Sequence, residues 1–347
     1  MTAAVRRTLV LALLLIGVGA LPTPASAGTA SLKQFVDFRG GNTSTDQLMY
    51  AAAPGETNRL IVRVEGPVAY LVSDTAGITP GAGCARVGSD PTRVRCQRTG
   101  DGLGSGQVDL GDGNDTAEVS TGEASPPNID GGPGNDVLTG DPRRSTLFEG
   151  GAGDDRMVGG TGPDIFDEGL APNGSDTMVG GGDTSDSVTY AGRRGSIVAD
   201  LDGAADDGQR GERDRISTDV EEIVGGRGRD LLGGNGRANT LIGSGGLDVL
   251  RGAGGKDTLY ADGEFSDRGR SNDRLFGGAG DDELTGSKGA NLLDGGAGRD
   301  SLFAGPGADR IAARDGRRDT VRCGSGRDRG RADRSDRRSS CERLKLR

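Results

Sequence analysis

The pattern of apolar and polar positions is most regular between Arg268 and Ala312, where it repeats every nine residues. The five consecutive units read RGRSNDRLF, GGAGDDELT, GSKGANLLD, GGAGRDSLF and AGPGADRIA. The last three residues of a unit are too few for a helix, so each unit predicts a short strand with its apolar eighth side chain inward. The glycines that recur at positions one, two and four predict a tight turn before that strand. The eighth positions are Leu275, Leu284, Leu293, Leu302 and Ile311.

The sixth position of every unit carries a side-chain oxygen acceptor: Asp273, Asp282, Asn291, Asp300 and Asp309. One turn and one strand make half a coil, so two units make a coil of eighteen residues. Residues eighteen apart then lie in adjacent coils, about 4.8 Å from each other, as neighbouring strands do. The pattern therefore predicts that Asp282 stacks on Asp300, and that Asn291 stacks between Asp273 and Asp309.

Such a stack of carboxylates predicts a cation. Two carboxylates about 5 Å apart repel by roughly 1 kcal/mol in water and by about 3 kcal/mol at an effective dielectric constant of 20. Calcium accepts six to eight oxygen ligands in flexible geometry, whereas magnesium demands a stricter octahedron. Zinc and copper prefer histidine or cysteine ligands, and this chain has no histidine. Carboxylates and turn carbonyls together therefore favour Ca²⁺.

The nine-residue pattern G-G-x-G-x-D-x-U-x, with U a large apolar residue, resembles the RTX, or haemolysin-type, calcium-binding repeat. The resemblance covers about residues 110–312. It implies an all-β fold, a right-handed parallel β-roll, with calcium held between turns by the sixth-position aspartates and backbone carbonyls. Members of this family usually carry a C-terminal export signal, and an N-terminal one is expected here, so a toxin role is not expected.

The pattern extends over two repeat blocks. Residues 109–189 form a degenerate block, in which Asp136 lies eighteen residues before Asp154 rather than Asp155, so the register slips there. Residues 225–312 form the regular block, interrupted by an insertion at 261–267. The candidate calcium ligands are Asp115, Asp136, Asp155, Asp164, Asp176, Asp186, Asp230, Asn239, Asp248, Asp257, Asp273, Asp282, Asn291, Asp300 and Asp309.

Residues 190–224 interrupt the nine-residue phase. Ser196–Leu201 and Val220–Val224 are predicted to be longer strands, joined by an acidic loop around Asp206 and Asp207. The segment resembles the spacers between repeat blocks of the family, and a binding loop is the alternative interpretation.

Residues 1–27 are predicted to be a secretory signal peptide. Arg6 and Arg7 precede a short apolar run, and Ala25-Ser26-Ala27 forms a cleavage motif. A transmembrane anchor is the alternative, but the run is too short for one. We therefore expect a secreted, extracellular protein. Residues 28–108 contain short apolar runs at 48–50, 60–64 and 68–72, separated by Gly and Pro, which predict a small β cap domain at the start of the stack.

Four cysteines allow three pairings, and proximity in sequence favours Cys84–Cys96 and Cys323–Cys341. Export makes oxidation to disulfides the expected state, and a metal site is the weaker alternative. Residues 313–347 hold thirteen basic and six acidic residues, a net charge of +7. They are expected to form a basic, disulfide-closed C-terminal cap. The arginines predict a solvated surface, with binding to an anionic surface polymer or matrix as a second interpretation.

Composition narrows the function further. The chain of 347 residues has 66 glycines, no tryptophan and a net charge of −10. A disordered glycine-rich linker would have this composition, but not the nine-residue phase. The acidic body disfavours nucleic-acid binding, and the absence of histidine excludes a Ser-His-Asp triad and an H-E-x-x-H zinc site. We expect a calcium-binding structural or adhesive protein, and we do not expect an enzyme. The alternative is an exported enzyme, or enzyme remnant, with its active site in the N-terminal domain.

Overall fold

The fold is an all-strand coil. The computed structural model describes residues 27–37, 43–66, 69–97, 102–122, 124–182, 185–263, 271–341 and 343–346. The described residues contain no α-helix, and accordingly no helical segment that could cross a bilayer. Parallel strands wind through long sheets, which confirms the prediction of an all-β parallel β-roll. The predicted signal peptide falls on residues outside the described part, apart from Ala27.

The strands are short, most of them three to six residues long. In chain order they are β1 Gly28–Asp37, β2 Thr43–Ala51, β3 Arg59–Glu65, β4 Ala69–Asp74, β5 Ile78–Pro80, β6 Cys84–Arg86, β7 Arg93–Gln97, β8 Gly102–Asp109, β9 Thr116–Ser120, β10 Asn128–Pro133, β11 Val137–Thr139, β12 Leu147–Ala152, β13 Arg156–Val158, β14 Ile165–Asp167, β15 Thr177–Val179, β16 Ser187–Thr189, β17 Ile197–Asp200, β18 Gly208–Gln209, β19 Arg215–Ile216, β20 Glu222–Val224, β21 Leu231–Gly233, β22 Thr240–Ile242, β23 Val249–Gly254, β24 Thr258–Tyr260, β25 Arg274–Ala279, β26 Glu283–Thr285, β27 Leu292–Ala297, β28 Ser301–Phe303, β29 Arg310–Ala313, β30 Thr320–Arg322, β31 Arg329–Ala332, β32 Arg337–Ser339 and β33 Leu344–Leu346.

These strands form three sheets. The long sheet has the order β32-β30-β28-β26-β24-β22-β20-β16-β14-β12-β10-β8-β2-β1-β5. The first partner sheet has the order β19-β15-β13-β11-β9-β3-β4-β7-β6, and the second has the order β18-β17-β21-β23-β25-β27-β29-β31-β33. From β8 onward, except at β17, β18 and β19, consecutive strands alternate between the long sheet and a partner sheet. The buried apolar side chains of the three sheets form one continuous cluster.

The regular block shows the predicted eighteen-residue coil. In the long sheet Leu284 pairs with Leu302, and in the second partner sheet Leu293 pairs with Leu275 and Ile311. These eighth-position side chains are at most 3% exposed, which confirms the inward file. Each fully buried Leu contributes roughly 1.5–3 kcal/mol through removal of apolar area from water.

The N-terminal strands extend the same sheets in an antiparallel arrangement. β1 and β2 form a hairpin, and β2 then pairs in parallel with β8. β3 pairs with β4 in an antiparallel ladder and with β9 in a parallel one. The predicted strands at 48–50 and 60–64 lie within β2 and β3, and the one predicted at 68–72 overlaps β4.

Extra residues fall between strands and do not change the strand pairing. Asp136 bonds to Asp155, nineteen residues away, so the predicted slip adds one residue to that coil. Asp248 bonds to Asp273, twenty-five residues away. The insertion between β24 and β25 contains the undescribed residues 264–270, yet the strands on either side keep their pairing.

The segment 190–224, which we call the junction, transfers the chain from one partner sheet to the other. β17 opens the second partner sheet, β19 ends the first, and an antiparallel bridge between Asp207 and Asp214 connects their edges. The two strands predicted here to be long are short: β17 has four residues and β20 has three. β17 is followed in the same sheet by its antiparallel partner β18, and β20 has the three residues that are common among the strands of the long sheet.

Both predicted disulfides are present, Cys84–Cys96 and Cys323–Cys341. The first links directly opposite residues of β6 and β7. The second connects the ends of β30 and β32, so it covalently closes the last two coils along the long sheet.

The inner file gives a matched test within β21. Leu232 is fully buried, whereas the adjacent Leu231 is 40% exposed. Leu232→Ala should lower the free energy of unfolding of the calcium-loaded protein by about 2–5 kcal/mol, because it opens a cavity. Leu231→Ala should lower it by less than about 1 kcal/mol. Denaturant unfolding followed by circular dichroism measures both, and equal losses would contradict the inward file.

Candidate metal centres

The structure places all fifteen predicted ligands in the interior, where each is at most 3% exposed. Most of them directly precede a strand and stack on their counterparts in adjacent coils. We call each such row an aspartate ladder. The ladder of the first partner sheet comprises Asp115, Asp136, Asp155, Asp176 and Asp214. The ladder of the long sheet contains Asp164 and Asp186, and then Asn239, Asp257, Asp282, Asp300, Asp319 and Asp336. The ladder of the second partner sheet comprises Asp230, Asp248, Asp273, Asn291, Asp309 and Asp328.

Within a ladder, the backbone amide of one residue donates a hydrogen bond to the side-chain oxygen of its counterpart in the next coil. The amide N–H of Asp282 donates to Oδ1 of Asp300 at 3.0 Å, and that of Asn291 donates to Oδ1 of Asp309 at 2.8 Å. Asp282 and Asp300 are therefore adjacent in the stack, as predicted, and so are Asn291 and Asp309. The expected direct repulsion between them is moderated, because an amide dipole lies between one carboxylate and the next.

The second carboxylate oxygen of most ladder residues faces the interior without a hydrogen-bond donor among the described residues. A buried acceptor in this position costs about 1–3 kcal/mol, and more when it is charged. The oxygens concerned are Oδ2 of Asp115, Asp136, Asp155, Asp176, Asp248, Asp257, Asp282, Asp300, Asp309, Asp319 and Asp328.

Backbone carbonyls converge on the same spaces. A methyl carbon built at Gly277, the first position of its unit, would lie 2.4 Å from Oδ2 of Asp282 and 2.5 Å from the carbonyl oxygen of Gly295. The same arrangement recurs at Gly252, with Oδ2 of Asp257 at 2.3 Å and the carbonyl oxygen of Gly277 at 2.5 Å. Two acceptors from adjacent coils thus share a space that only glycine leaves open. A hard cation with oxygen ligands fits this donor set, and Ca²⁺ fits it best.

Four predicted ligands already have hydrogen-bond partners in the protein at the side-chain atom that would face a cation. Three of them are aspartates. Oδ2 of Asp164 accepts from the amide of Gly160, and Oδ2 of Asp230 accepts from that of Gly226. Oδ2 of Asp273 accepts from the hydroxyls of Ser271 and Ser287.

Asn291 is satisfied in a different way. Its Nδ2 donates to the carbonyl oxygen of Ser287 at 2.9 Å and to that of Ala304 at 3.4 Å. The amide group therefore contacts the carbonyl that faces a carboxylate in other units. A neutral N–H donor takes the position in which a cation would be expected, so this position fits a cation poorly.

The sequence prediction missed several ladder residues. Asp319, Asp328 and Asp336 continue the long-sheet ladder and the second-partner ladder into the tail. Asp319 and Asp328 lie nine residues apart, which was the signal, but one extra residue after Asp309 shifts their phase. Asp214 accepts the amide of Asp176 at 3.0 Å, in a unit that lacks the usual glycines.

Burial raises the pKa of several ladder carboxyls, because the ionised oxygen loses water. The pKa of Asp248 is raised to about 8, and the neighbouring charges of Asp230 and Asp273 add to the rise. Backbone hydrogen bonds oppose the effect without cancelling it. The pKa is raised to about 7 at Asp136, Asp257, Asp300 and Asp309, and to about 6 at Asp155, Asp230 and Asp319.

Without metal, the roll should therefore be most stable in acid. An aspartate in the unfolded chain titrates near pH ~4, whereas Asp300 and Asp248 in the fold hold their protons up to about pH 7 and 8. Between these values the folded state binds more protons, so the free energy of unfolding falls as the pH rises. Thermal melts of metal-free protein at a series of pH values measure this fall. A melting temperature that rises from about pH 4 to about pH 8 would contradict the prediction.

The family comparison agrees with the ladders. The family described as the RTX calcium-binding nonapeptide repeat (4 copies) matches residues 128–142, 147–167, 233–264, 269–293 and 285–321. The last match continues past Asp319, a ladder residue in the tail. A search of curated proteins found no match. The nine-residue repeats within these matched residues are therefore members of the RTX calcium-binding repeat family.

Proposed function

We propose that this protein is a secreted calcium-binding repeat protein whose roll folds when calcium binds, and that it has a structural or adhesive role outside the cell. One observation carries the proposal. Buried Oδ2 atoms and backbone carbonyls of adjacent coils face shared spaces, and the described residues supply no donor to those carboxylate oxygens. A divalent cation supplies the missing positive charge.

The ladders rank the residues that would hold the ions. In the long sheet, Asp257, Asp282, Asp300 and Asp319 follow one another with the second oxygen unsatisfied at each step. Asp309 and Asp328 form a similar pair in the second partner sheet. Asp273 and Asn291 rank low, because protein donors already occupy their positions.

The charge of the chain makes calcium a condition of folding. Loss of Arg6 and Arg7 with the signal takes the net charge from −10 to −12, and setting aside the tail at +7 leaves a body near −19. Calcium at about a hundred times its dissociation constant would add about 2.7 kcal/mol per site. Because each coil contacts only its neighbours, the sites act together along the stack.

Several features support an extracellular location. The two disulfides indicate an oxidising compartment. The N-terminal sequence has the features of a signal peptide.

The tail presents exposed arginines, including Arg317, Arg318 and Arg338, beside the acidic roll. We propose an anionic surface polymer or matrix as the partner of these arginines, by charge complementarity.

The buried polar groups of the N-terminal strands support a structural role rather than catalysis. Oδ2 of Asp74 accepts from the hydroxyl of Tyr50, and its Oδ1 accepts from the amides of Arg59 and Ala76. Asn58 donates from its backbone amide to Oδ1 of Asp115, at the start of a ladder. These groups connect strands to each other and to the roll.

A calcium titration tests the folding role. The mature, metal-free protein near neutral pH should gain β signal in far-ultraviolet circular dichroism as calcium is added, and lose it on addition of chelator. Magnesium at the same concentration is the control and should give a smaller gain. A spectrum that calcium and chelator leave unchanged would refute calcium-dependent folding.

Adjacent aspartates offer a matched pair of variants. Asp282 is buried in the ladder, and Asp281 is exposed. Asp282→Asn keeps the oxygen that accepts the coil-to-coil hydrogen bond and removes the charge. It should weaken calcium binding in calorimetry, and raise the stability of the metal-free protein because one buried charge is gone.

Asp281→Asn should change neither quantity appreciably, because Asp281 is solvated and its amide counterpart can still accept from the backbone of Arg299. Unchanged calcium binding in Asp282→Asn would remove the ladder from the mechanism.

A further inference from the structure

The junction contains a carboxylate cluster that differs from the repeat sites. Glu168, Asp176 and Asp214 are fully buried. One carboxylate oxygen of each lies within 4.8 Å of one from each of the other two. Glu168 follows β14 of the long sheet, whereas Asp176 and Asp214 precede β15 and β19 of the first partner sheet. We call these three residues the junction cluster.

Arg193 is the positively charged residue that contacts this cluster. Its guanidinium is buried and lies 3.3 Å from Oε2 of Glu168, and it also pairs with Glu212 at 2.5 Å. Its Nε donates to the carbonyl oxygen of Glu168 at 3.0 Å. The three cluster carboxylates and Glu212 carry four negative charges when ionised, and Arg193 supplies one positive charge. A net charge of −3 in a buried site is strongly unfavourable.

Two oxygens of the cluster remain without a donor. Oδ1 of Asp214 accepts from the amide of Asp176, and its Oδ2 accepts from the hydroxyl of Tyr190 at 3.1 Å. By contrast, Oε1 of Glu168 and Oδ2 of Asp176 are buried and have no hydrogen-bond partner among the described residues. Because Oε2 of Glu168 faces Arg193, Oε1 is the oxygen that remains for the other two carboxylates.

The local sequence explains why this cluster is not a repeat site. Glu168 directly follows a three-residue strand, the position at which the regular units have glycines such as Gly286. A side chain from that position points at the next aspartate, as the methyl carbon built at Gly277 shows. A third carboxylate therefore enters a space that glycine leaves open elsewhere.

We propose that Glu168, Asp176 and Asp214 form a separate site for a hard divalent cation, Ca²⁺ in the exported protein, that binds more tightly than the ladder sites. Three carboxylates supply more ligand charge than the single carboxylate and carbonyl seen at Gly277, and ligand charge and rigidity set calcium affinity. The ion would lower the net charge of the buried group from −3 to −1. It would also connect the long sheet to the first partner sheet at the coil where the roll changes partner.

The retained metal measures this site. Calcium-loaded protein is dialysed near neutral pH against a mild chelator that strips the ladder sites, and the remaining calcium is counted by elemental analysis. The wild type should keep one equivalent that Glu168→Gln loses. Glu283→Gln, an exposed glutamate in β26, is the matched control and should keep it. Asp282→Asn should also keep it, so failure of the ladder proposal and failure of this one are distinguishable.

A terbium titration keeps the test valid if Glu168→Gln does not fold. Excitation of tyrosine should sensitise Tb³⁺ in the tightest binding phase, because Tyr190 bonds directly to Asp214. Tyr190→Phe should abolish that emission while the protein still retains the calcium equivalent. The proposal is overturned if Tyr190→Phe leaves the emission of the tightest phase unchanged. It is equally overturned if folded Glu168→Gln retains the same calcium as the wild type, since a proton shared between Glu168 and Asp176 would then reduce the repulsion in place of a cation.

Discussion

The roll depends on how each ladder aspartate divides its two carboxylate oxygens. Oδ1 accepts the amide of the preceding coil, as between Asp300 and Asp282, so it fixes the register between coils. In most of these aspartates Oδ2 enters the interior and meets no donor among the described residues. The same residue therefore stabilises the stack through one atom and destabilises it through the other. A cation between coils removes that conflict, which is why folding and calcium binding are proposed as one process.

Glycine makes this arrangement sterically possible. At the fourth position, Gly298 has φ near 154°, and a methyl carbon there would lie only 1.7 Å from the carbonyl oxygen of Gly280. Coils can approach to strand spacing only if no side chain occupies that position. The core is then a narrow file, with one buried apolar residue such as Leu284 or Leu302 per strand. Little apolar area is buried per residue, so the apolar core supplies less of the stability than in an ordinary globular domain.

The junction shows how a break in the repeat creates different chemistry. The regular units place a glycine after the strand and leave a space for an ion bound by one carboxylate and a carbonyl. Glu168 replaces that glycine, and Arg193 binds its second oxygen. The change occurs where the first partner sheet ends. The extra carboxylates therefore lie at the coil that is not followed by another regular repeat unit in that sheet. The tail differs from the junction in the sign and place of its charge: it adds a positively charged surface to the last coils of an acidic roll.

Wherever the nine-residue phase is unbroken, the sequence alone determined the strands, the inward leucines and the stacking of Asp282 on Asp300, because fixed spacing places each side chain in a coil. Cysteine proximity likewise predicted both disulfides. Where residues are inserted, spacing no longer reports position, and only the tertiary structure decided that Asp319 and Asp214 belong to ladders. It also decided which predicted ligands have a free second oxygen, since the contacts of Asp230 with the amide of Gly226 and of Asp273 with two serine hydroxyls depend on the local conformation of each turn. Likewise, only the tertiary structure showed that Glu168 lies near Asp214, because these residues are forty-six positions apart along the chain and adjoin strands of different sheets.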